Sequence, residues 1–279
     1  MRLDEALTNA SGVYFEGTLI ESLQTPYQLI EVFDTPSLGK LMRIDGANMT
    51  SEADEFFYHE CLVHPAAITH ACPRNVLVIG GGDGGACEEI LKHPSIERVV
   101  LAELDEGVIE MAKRHLSSVH RNVFDNPKLF VRIVDGMTFV RSASERFDLI
   151  YLDLTDPDGP AAAIYSRGFL GELEKVLLPD GALVLHIGSP FSHPKRVTDS
   201  VADSRTVFKR VTPYFTHIPT YGATWGFILA SATLDPLAHS ATDIENRLDQ
   251  RGIVDRQFYS GDTHHAMLAL PGYIKALFG

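Results

Sequence analysis

The stretch that decides the fold runs from Val76 to Gly85 and reads VLVIGGGDGG. Its four apolar residues stop at three consecutive glycines, which is typical of a buried parallel strand that enters a tight turn. A helix is predicted to begin near Ala86. The glycines satisfy G-x-G-x-x-G, starting from Gly80 and Gly82, but a single match to that pattern is only a weak indication of a nucleotide site.

Asp83 lies inside this turn. A dinucleotide would place its pyrophosphate on the turn and on the helix N-terminus behind it, where a carboxylate would repel the phosphate. The turn therefore favours a ligand that is neutral or cationic at this point, such as an adenosyl sulfonium compound. A plain tight turn is the structural alternative for the glycines, and Asp83 disfavours it.

Composition narrows the function classes. The chain has 279 residues, 45% of them hydrophobic, which is enough for one large domain and a small one. Its net charge of −13 disfavours nucleic acid and anionic membranes as partners. No apolar run approaches the roughly 18 residues that span a bilayer. The start of the chain lacks a signal-peptide layout, and its three cysteines form no C-x-x-C pair, so we expect a cytoplasmic protein.

Two domains are predicted, 1–50 and 51–279. The first is a small β-domain with strands over 13–23, 27–33 and 40–44. The second begins with a helix over 51–71, capped by Ser51. His59, Glu60 and His64 are close to the zinc pattern H-E-x-x-H, but that pattern needs histidines four apart on one helical face. Here they are five apart, so no metal site is expected.

From Val76 onward, strand and helix patterns alternate, which predicts a mostly parallel α/β sheet. The sequence predicts strands at 76–79, 98–102, 129–134, 147–152 and 182–187, and helices at 86–92, 106–116, 137–142 and 167–177. A turn at 178–181 is expected to end the last of these helices. A helix at 195–209, a hairpin of 211–219 and 225–231, and helices at 242–251 and 273–278 complete the prediction.

Four consecutive predicted strands are each followed by a carboxylate: Asp83, Glu103, Asp135 and Asp153. Ligands of an open parallel sheet bind outside the carboxyl ends of its strands, so these side chains should meet in one crevice. Each alone could be a helix cap or a solvated loop residue. Four together, with no Lys or Arg at the corresponding positions, predict a cation between them.

Each carboxylate has a plausible task. Asp83 can pair with a terminal ammonium. Glu103 lies about 18 residues beyond the last glycine of the turn, where an acidic residue binds ribose. Asp135 can accept a hydrogen bond from an adenine amine, and Gly136 allows close approach of the base. Asp153 and Asp156 could meet a second cation, one as base and one as anchor. A simple turn is the alternative for Asp156-Pro157.

Several motifs resemble the spermidine synthase family of polyamine aminopropyltransferases. They are GGGDGG at 80–85, Asp135-Gly136, D-x-x-D-P-x-G-P-A at 153–161, the helix segment 54–60 and the segment 218–221. The resemblance implies a methyltransferase-like Rossmann fold, with a mostly parallel sheet and a C-terminal hairpin, preceded by the small β-domain. It also implies a homodimer or homotetramer.

The resemblance implies transfer of the aminopropyl group of decarboxylated S-adenosylmethionine to a polyamine such as putrescine, without a cofactor or metal. Asp153 would be the base. Donor contacts would come from Gln28, Gly80, Gly82, Glu103, Asp135, Gly136 and Pro160. The polyamine would be held by Tyr58, His59, Asp83, Asp156 and Tyr221. Gln28 could equally be an exposed residue of the middle strand.

The acceptor stays open because the chain departs from the family pattern. Met49 stands where a glutamine is usual, and Ala162 where an acidic residue is usual. Leu154 and the segment 224–227 look more like thermospermine synthases, whereas Tyr221 looks like the spermidine type. Two other functions remain as alternatives: an S-adenosylmethionine methyltransferase with the same domain, and a polyamine-binding protein without catalysis.

Overall fold

A computed structural model describes residues 1–155 and 163–279 of the chain. The predicted site residues Asp156 and Pro160, and the departure at Ala162, lie outside these described residues. The last strand of the N-terminal segment ends at Ser51, next to the predicted domain boundary.

The N-terminal segment forms two antiparallel sheets. β1 (Arg2–Thr8) pairs with β2 (Ser11–Glu16), and a second sheet runs in the order β3 (Thr18–Gln24), β4 (Leu29–Thr35), β5 (Gly39–Ile44) and β6 (Ala47–Ser51). The prediction of three strands was wrong. The run 13–23 is divided at Gly17, where a Cβ would lie 3.1 Å from side-chain atoms of Leu3 and Thr35. β1 escaped prediction because its residues alternate poorly between polar and apolar.

Helix α1 (Glu55–Thr69) follows, and all of its residues except Phe56 and Phe57 are buried. It is therefore a core helix and not an amphipathic surface helix. Asp54 is its N-cap residue, so the prediction that Ser51 caps this helix was wrong. Ser51 ends β6 and donates a hydrogen bond of 2.6 Å to Oδ1 of Asp54 instead.

The large sheet has the strand order β12-β13-β11-β10-β7-β8-β9. Strands β7 to β11 are parallel, and β13 is antiparallel to both β11 and β12, which confirms a mostly parallel sheet with a C-terminal hairpin. The strands are β7 (Asn75–Gly80), β8 (Arg98–Glu103), β9 (Leu129–Ile133), β10 (Phe147–Asp153), β11 (Leu177–Gly188), β12 (Arg210–Ile218) and β13 (Ala223–Ser231).

Helices cover both faces of this sheet, and a cluster of buried apolar side chains lies on each face. They are α2 (Gly85–Leu91), α3 (Glu106–His115), α4 (Ser117–His120), α5 (Gly136–Ser142), α6 (Arg167–Val176), α7 (Pro194–Val207), α8 (Ala241–Gln250), α9 (Gly261–Leu268) and α10 (Gly272–Lys275). The sequence did not predict α4 or α9. The predicted turn at 178–181 lies inside β11, where the register against β10 shifts.

Strand order fixes where a ligand can bind. From β7, the chain moves to β8 and β9 on one side, and then to β10 and β11 on the other. The carboxyl ends of β7 and β10 therefore flank the switch point, where open α/β sheets bind their ligands. Asp153 pairs directly with Gly80 there. Among the described residues, no helix has the length and apolar character needed to cross a membrane.

Candidate active site

The glycine turn packs directly against the end of β10. Gly80 and Gly81 have φ angles of 80° and 72°, a region that favours glycine. A Cβ at Gly80 would lie 2.1 Å from the carbonyl oxygen of Asp153, and one at Gly81 would lie 2.8 Å from its Oδ2. The turn thus needs glycine both for its backbone angles and for the space that the Asp153 side chain occupies.

Asp153 combines a buried carboxylate oxygen with a raised pKa. Its Oδ2 is buried and has no hydrogen-bond partner within residues 1–155 and 163–279. Burial, followed by the charge of Asp83, raises the pKa of Asp153 to about 6, although His59 and the Tyr58 hydroxyl act in the opposite direction. A buried carboxylate with a raised pKa is a stronger proton acceptor than one in water.

His59 links two carboxylates from different parts of the chain. Its Nδ1 lies 2.7 Å from Oε2 of Glu55, one turn earlier in α1, and its Nε2 lies 3.4 Å from Oδ2 of Asp83. Burial alone would lower the pKa of His59, but Asp83 and Glu55 raise it well above the ordinary value. His59 in turn holds the pKa of Asp83 below its ordinary value despite burial.

The structure brings three predicted residues into one cluster. His59, Asp83 and Asp153 each offer a ligand atom, and these atoms all lie within 4.8 Å of one another. Such a cluster suits a cation. The carboxylates of Asp83 and Asp153 can accept hydrogen bonds from an ammonium group. Glu60 and His64 lie elsewhere: Glu60 accepts hydrogen bonds from the backbone of residues 257–259, and His64 contacts His93.

Aromatic side chains form a wall beside this cluster. The rings of Tyr58 and Tyr221 lie 6.1 Å apart, and Tyr221 lies 4.7 Å from Trp225. His186 stacks on Trp225 at 5.9 Å. The sequence interpretation gave neither Trp225 nor His186 a role, although His186 lies near the carboxyl end of the fifth parallel strand. Aromatic faces attract cations within about 6 Å, which suits a polyamine.

Two contacts fix Tyr221 in this wall. Its hydroxyl donates a hydrogen bond of 2.9 Å to the carbonyl oxygen of Met49. The neighbouring Thr220 donates from its backbone N–H to Oδ2 of Asp54 at 2.7 Å. Asp54 lies at the start of α1, so one helix terminus positions both the His59 cluster and the Tyr221 loop. From the sequence, Asp54 is singled out only as part of the helix segment 54–60 that resembles the family.

The side of the crevice predicted to bind the donor holds Glu103. This carboxylate is 8% exposed and accepts a hydrogen bond of 2.9 Å from the Asp105 backbone N–H. Burial raises its pKa to about 7. Gln28 donates to Oδ2 of Asp105 at 3.0 Å, so the structure brings it to this end of the sheet. Gln28 precedes β4 and does not lie within the strand as predicted.

Asp135 is the N-cap residue of α5. Its Oδ1 accepts hydrogen bonds from the backbone N–H and the hydroxyl of Thr138 at 2.7 and 2.8 Å. The capping role that was the structural alternative for this residue is therefore present. The other oxygen, Oδ2, is not used in these two bonds. Gly136, at the start of α5, is buried against Ile79 of β7, so both residues lie at the crevice.

Comparison with known proteins identifies the family. Residues 55–239 match the spermine/spermidine synthase domain. A polyamine aminopropyltransferase from Nitrosomonas europaea is 47% identical over 274 residues, which cover 98% of this chain and 84% of the relative. Another, from a Thermoanaerobacter species, is 36% identical and covers 91% of this chain and 90% of its own length.

Solved structures give the same result. A spermidine synthase in complex with the transition-state analogue AdoDATO superposes with a TM-score of 0.94 at 32% identity, over 100% of this chain and 95% of that one. Spermidine synthase from Thermotoga maritima gives a TM-score of 0.92 at 32% identity, with coverages of 100% and 94%. The predicted fold and the family resemblance are both confirmed. The chain belongs to the spermine/spermidine synthase family and is an enzyme of the polyamine aminopropyltransferase type.

Proposed function

We propose that the enzyme transfers the aminopropyl group of decarboxylated S-adenosylmethionine to putrescine, which yields spermidine and methylthioadenosine. The observation that supports this most is the buried Oδ2 of Asp153 beside Asp83, an oxygen that has no hydrogen-bond partner among the described residues. An acceptor amine that loses its proton to Asp153 forms a bond to the carbon next to sulfur. The carbon–sulfur bond breaks, and its electron pair stays on the sulfur of methylthioadenosine.

Charge explains why Asp153 is needed. The sulfonium is already a good leaving group, so we predict that neither a general acid nor a metal or other cofactor takes part. An aliphatic ammonium with a pKa near 10, as in Lys, is not a nucleophile until it loses a proton. Asp153 accepts that proton, and alignment of the amine with the carbon–sulfur bond supplies much of the remaining acceleration.

In this proposal, the donor lies across the carboxyl ends of β7 to β9. Glu103 binds the ribose hydroxyl groups, and Asp135 with Gly136 contacts the adenine. Asp83 binds the donor's terminal ammonium and repels the carboxylate that S-adenosylmethionine keeps. The remaining donor contacts are those that the family resemblance implies, at Gln28, Gly80, Gly82 and Pro160.

The acceptor lies along the aromatic wall, between Tyr58 and Tyr221, with Asp156 as a further anchor. His59 acts on the amines through Asp83, because both of its ring nitrogens face carboxylates. The carbonyl of Met49 is occupied by the Tyr221 hydroxyl, and its side chain is apolar where a glutamine is usual. Together with Leu154 and Ala162, this favours spermidine or another longer amine as a second candidate acceptor.

Two other functions are weaker. A methyltransferase with this Rossmann domain would give no task to Asp153 or to the aromatic wall. A polyamine-binding protein without catalysis would not need a carboxylate whose pKa is raised to about 6 among those that bind the amines.

The test is incubation of the protein with decarboxylated S-adenosylmethionine and, separately, putrescine, cadaverine and spermidine. Mass spectrometry would identify the polyamine product and methylthioadenosine in each reaction. We expect spermidine from putrescine, and no methylated product when S-adenosylmethionine replaces the donor. Absence of methylthioadenosine with every acceptor would overturn the proposal. Light scattering would test the predicted homodimer or homotetramer.

A further inference from the structure

Glu55 is a buried carboxylate to which the mechanism above gives no task. Its side chain is 3% exposed, and Oε2 lies 2.7 Å from Nδ1 of His59. Residues four apart lie on the same face of a helix, so Glu55 reaches the ring from within α1. Its other oxygen, Oε1, lies 3.5 Å from Nη2 of Arg121. Glu55 therefore lies between a cationic side chain and the ring that faces the candidate active site.

Arg121 comes from a strained piece of backbone. It follows α4 with a φ of 43°, and the next residue, Asn122, has a φ of 60°. Two consecutive residues in the left-handed region, one of them an arginine, are uncommon outside glycine. Arg121 also lies 2.8 Å from Oε2 of Glu88 and is 31% exposed. Its charge is thus partly solvated, and it balances acidic groups from α1 and α2.

The His59 ring is closely packed between its neighbours. A Cβ at Gly85 would lie 2.2 Å from Cε1 of the ring, so the ring packs flat on the first residue of α2. Tyr58 meets it edge to face at 5.3 Å. On the opposite side, Asp83 lies 3.4 Å from Nε2.

Other charged and polar groups also act on this cluster. Asp153 from β10 interacts with both His59 and Asp83. Asp83 is further faced by His120 from α4 and by the hydroxyl of Thr50 from β6. Of these groups, Glu55 and Asp83 are the two that meet the ring nitrogens of His59 directly. Ionised carboxylates only accept hydrogen bonds, so a ring between two of them must donate from both nitrogens.

We propose that Glu55 is a positioning residue that keeps His59 protonated on both nitrogens, and so keeps Asp83 ionised to bind the ammonium groups of the substrates. This rests on the function proposed above. The imidazolium offsets the repulsion between Asp83 and Asp153, which would otherwise share a proton. Asp153, the proton acceptor of the reaction, then stays unprotonated near neutral pH.

Loss of the Glu55 charge has a defined consequence. An opposite charge at hydrogen-bond distance shifts a pKa by about one to three units, so Glu55→Gln should lower the pKa of His59 by that amount. The imidazole would then lose its proton near neutral pH. Without the imidazolium, the pair of Asp83 and Asp153 would hold a proton to higher pH. The acidic limb of the kcat/KM profile would then shift to higher pH.

The experiment compares Glu55→Gln with Glu88→Gln in the full chain. The control removes the carboxylate of Glu88, another acidic partner of Arg121, and does not touch His59. The pH dependence of kcat/KM for the amine and an NMR titration of the ¹⁵N-labelled imidazoles report on the mechanism. We expect Glu55→Gln to shift the acidic limb up by about one unit. With a wild-type limb near pH 6, this means about a twofold loss at pH 7 and about a tenfold loss at pH 5, both recovered at higher pH.

Three further readouts distinguish a positioning role of Glu55 from a purely structural one. At pH 9, where Asp83 is ionised in both proteins, donor affinity of Glu55→Gln should stay within twofold of wild type. Glu55→Asp should restore part of the acidic limb, and Glu88→Gln should match wild type. An equal shift in Glu88→Gln would overturn the proposal. So would a wild-type His59 that loses its proton below pH 7, and this measurement stands even where Glu55→Gln does not fold. The NMR titration of His59 needs no turnover. Failure of the proposed function would therefore be seen separately, because the wild-type protein would then form no product.

Discussion

Replacement of Asp153 by asparagine tests the proposed chemistry most directly. The side chain keeps its shape but cannot accept the amine's proton. An acceptor amine with a pKa near 10.4 is neutral in only about one molecule in 250 at pH 8. If only the neutral amine reacts in the variant, its rate should fall by about 10²-fold at pH 8. This lies within the 10²–10⁴ that a positioned base typically supplies.

The structure also indicates why this aspartate is suited to the task. Its pKa of about 6, instead of 3.8, makes proton transfer from the amine less unfavourable by about 3 kcal/mol. The wild-type enzyme should therefore keep its activity down to about pH 6. The rate of Asp153→Asn should rise about tenfold per pH unit up to the amine's own pKa, so the gap between the two should narrow at high pH.

The assay is single-turnover formation of methylthioadenosine by rapid quench, with folded protein saturated with donor. Donor affinity should survive, because Glu103 and Asp135 carry it in this proposal. Asp180→Asn is the control, since Asp180 has a 66% exposed side chain at the opposite end of the sheet. A rate for Asp153→Asn within threefold of wild type at pH 8 would mean that Asp153 only anchors the acceptor.

Three other predictions follow from the same geometry. Asp83→Asn should narrow the preference for decarboxylated over intact S-adenosylmethionine, because loss of a charged hydrogen bond costs about 1.5–3 kcal/mol of binding free energy. Calorimetry measures both affinities, and equal affinities of the wild-type protein for the two donors would contradict this. The amine panel should give product from a triamine as well as from putrescine, and strict use of putrescine would reject the role given to Met49. Glu103 has a pKa of about 7 against 4.5 for an ordinary Glu, so its ionised form costs the fold about 3 kcal/mol above pH 7. Glu103→Gln should therefore raise the melting temperature at pH 8 but not at pH 4, where both states are protonated, and a lower value at pH 8 would refute the burial argument.

Much of the crevice could be predicted because strand ends obey a simple rule. The carboxyl ends of parallel strands share one edge of a sheet, so Asp83, Glu103, Asp135 and Asp153 could be grouped without coordinates. The structure confirms the sheet that carries them, with Asp153 beside Gly80 in register.

Contacts between segments distant in sequence could not be predicted in this way. The pairing of His59 with Asp83 depends on how α1 packs against the glycine turn, and no local pattern encodes that packing. Gln28 looked like an exposed strand residue because its partner, Asp105, is 77 positions away. The N-terminal strands were miscounted since β1 and β2 form a mostly exposed hairpin, in which apolar alternation is weak.

The two sides of the crevice differ in how the chain builds them. The proposed donor side comes from successive strand–helix turns of one sheet. The aromatic wall instead joins Tyr58, His186, Tyr221 and Trp225, which come from three separate segments of the chain. A substitution in one of these segments can reshape the wall without disturbing the strand ends. Over evolutionary time, such an enzyme could change the length of its accepted amine while its adenosyl substrate stayed the same.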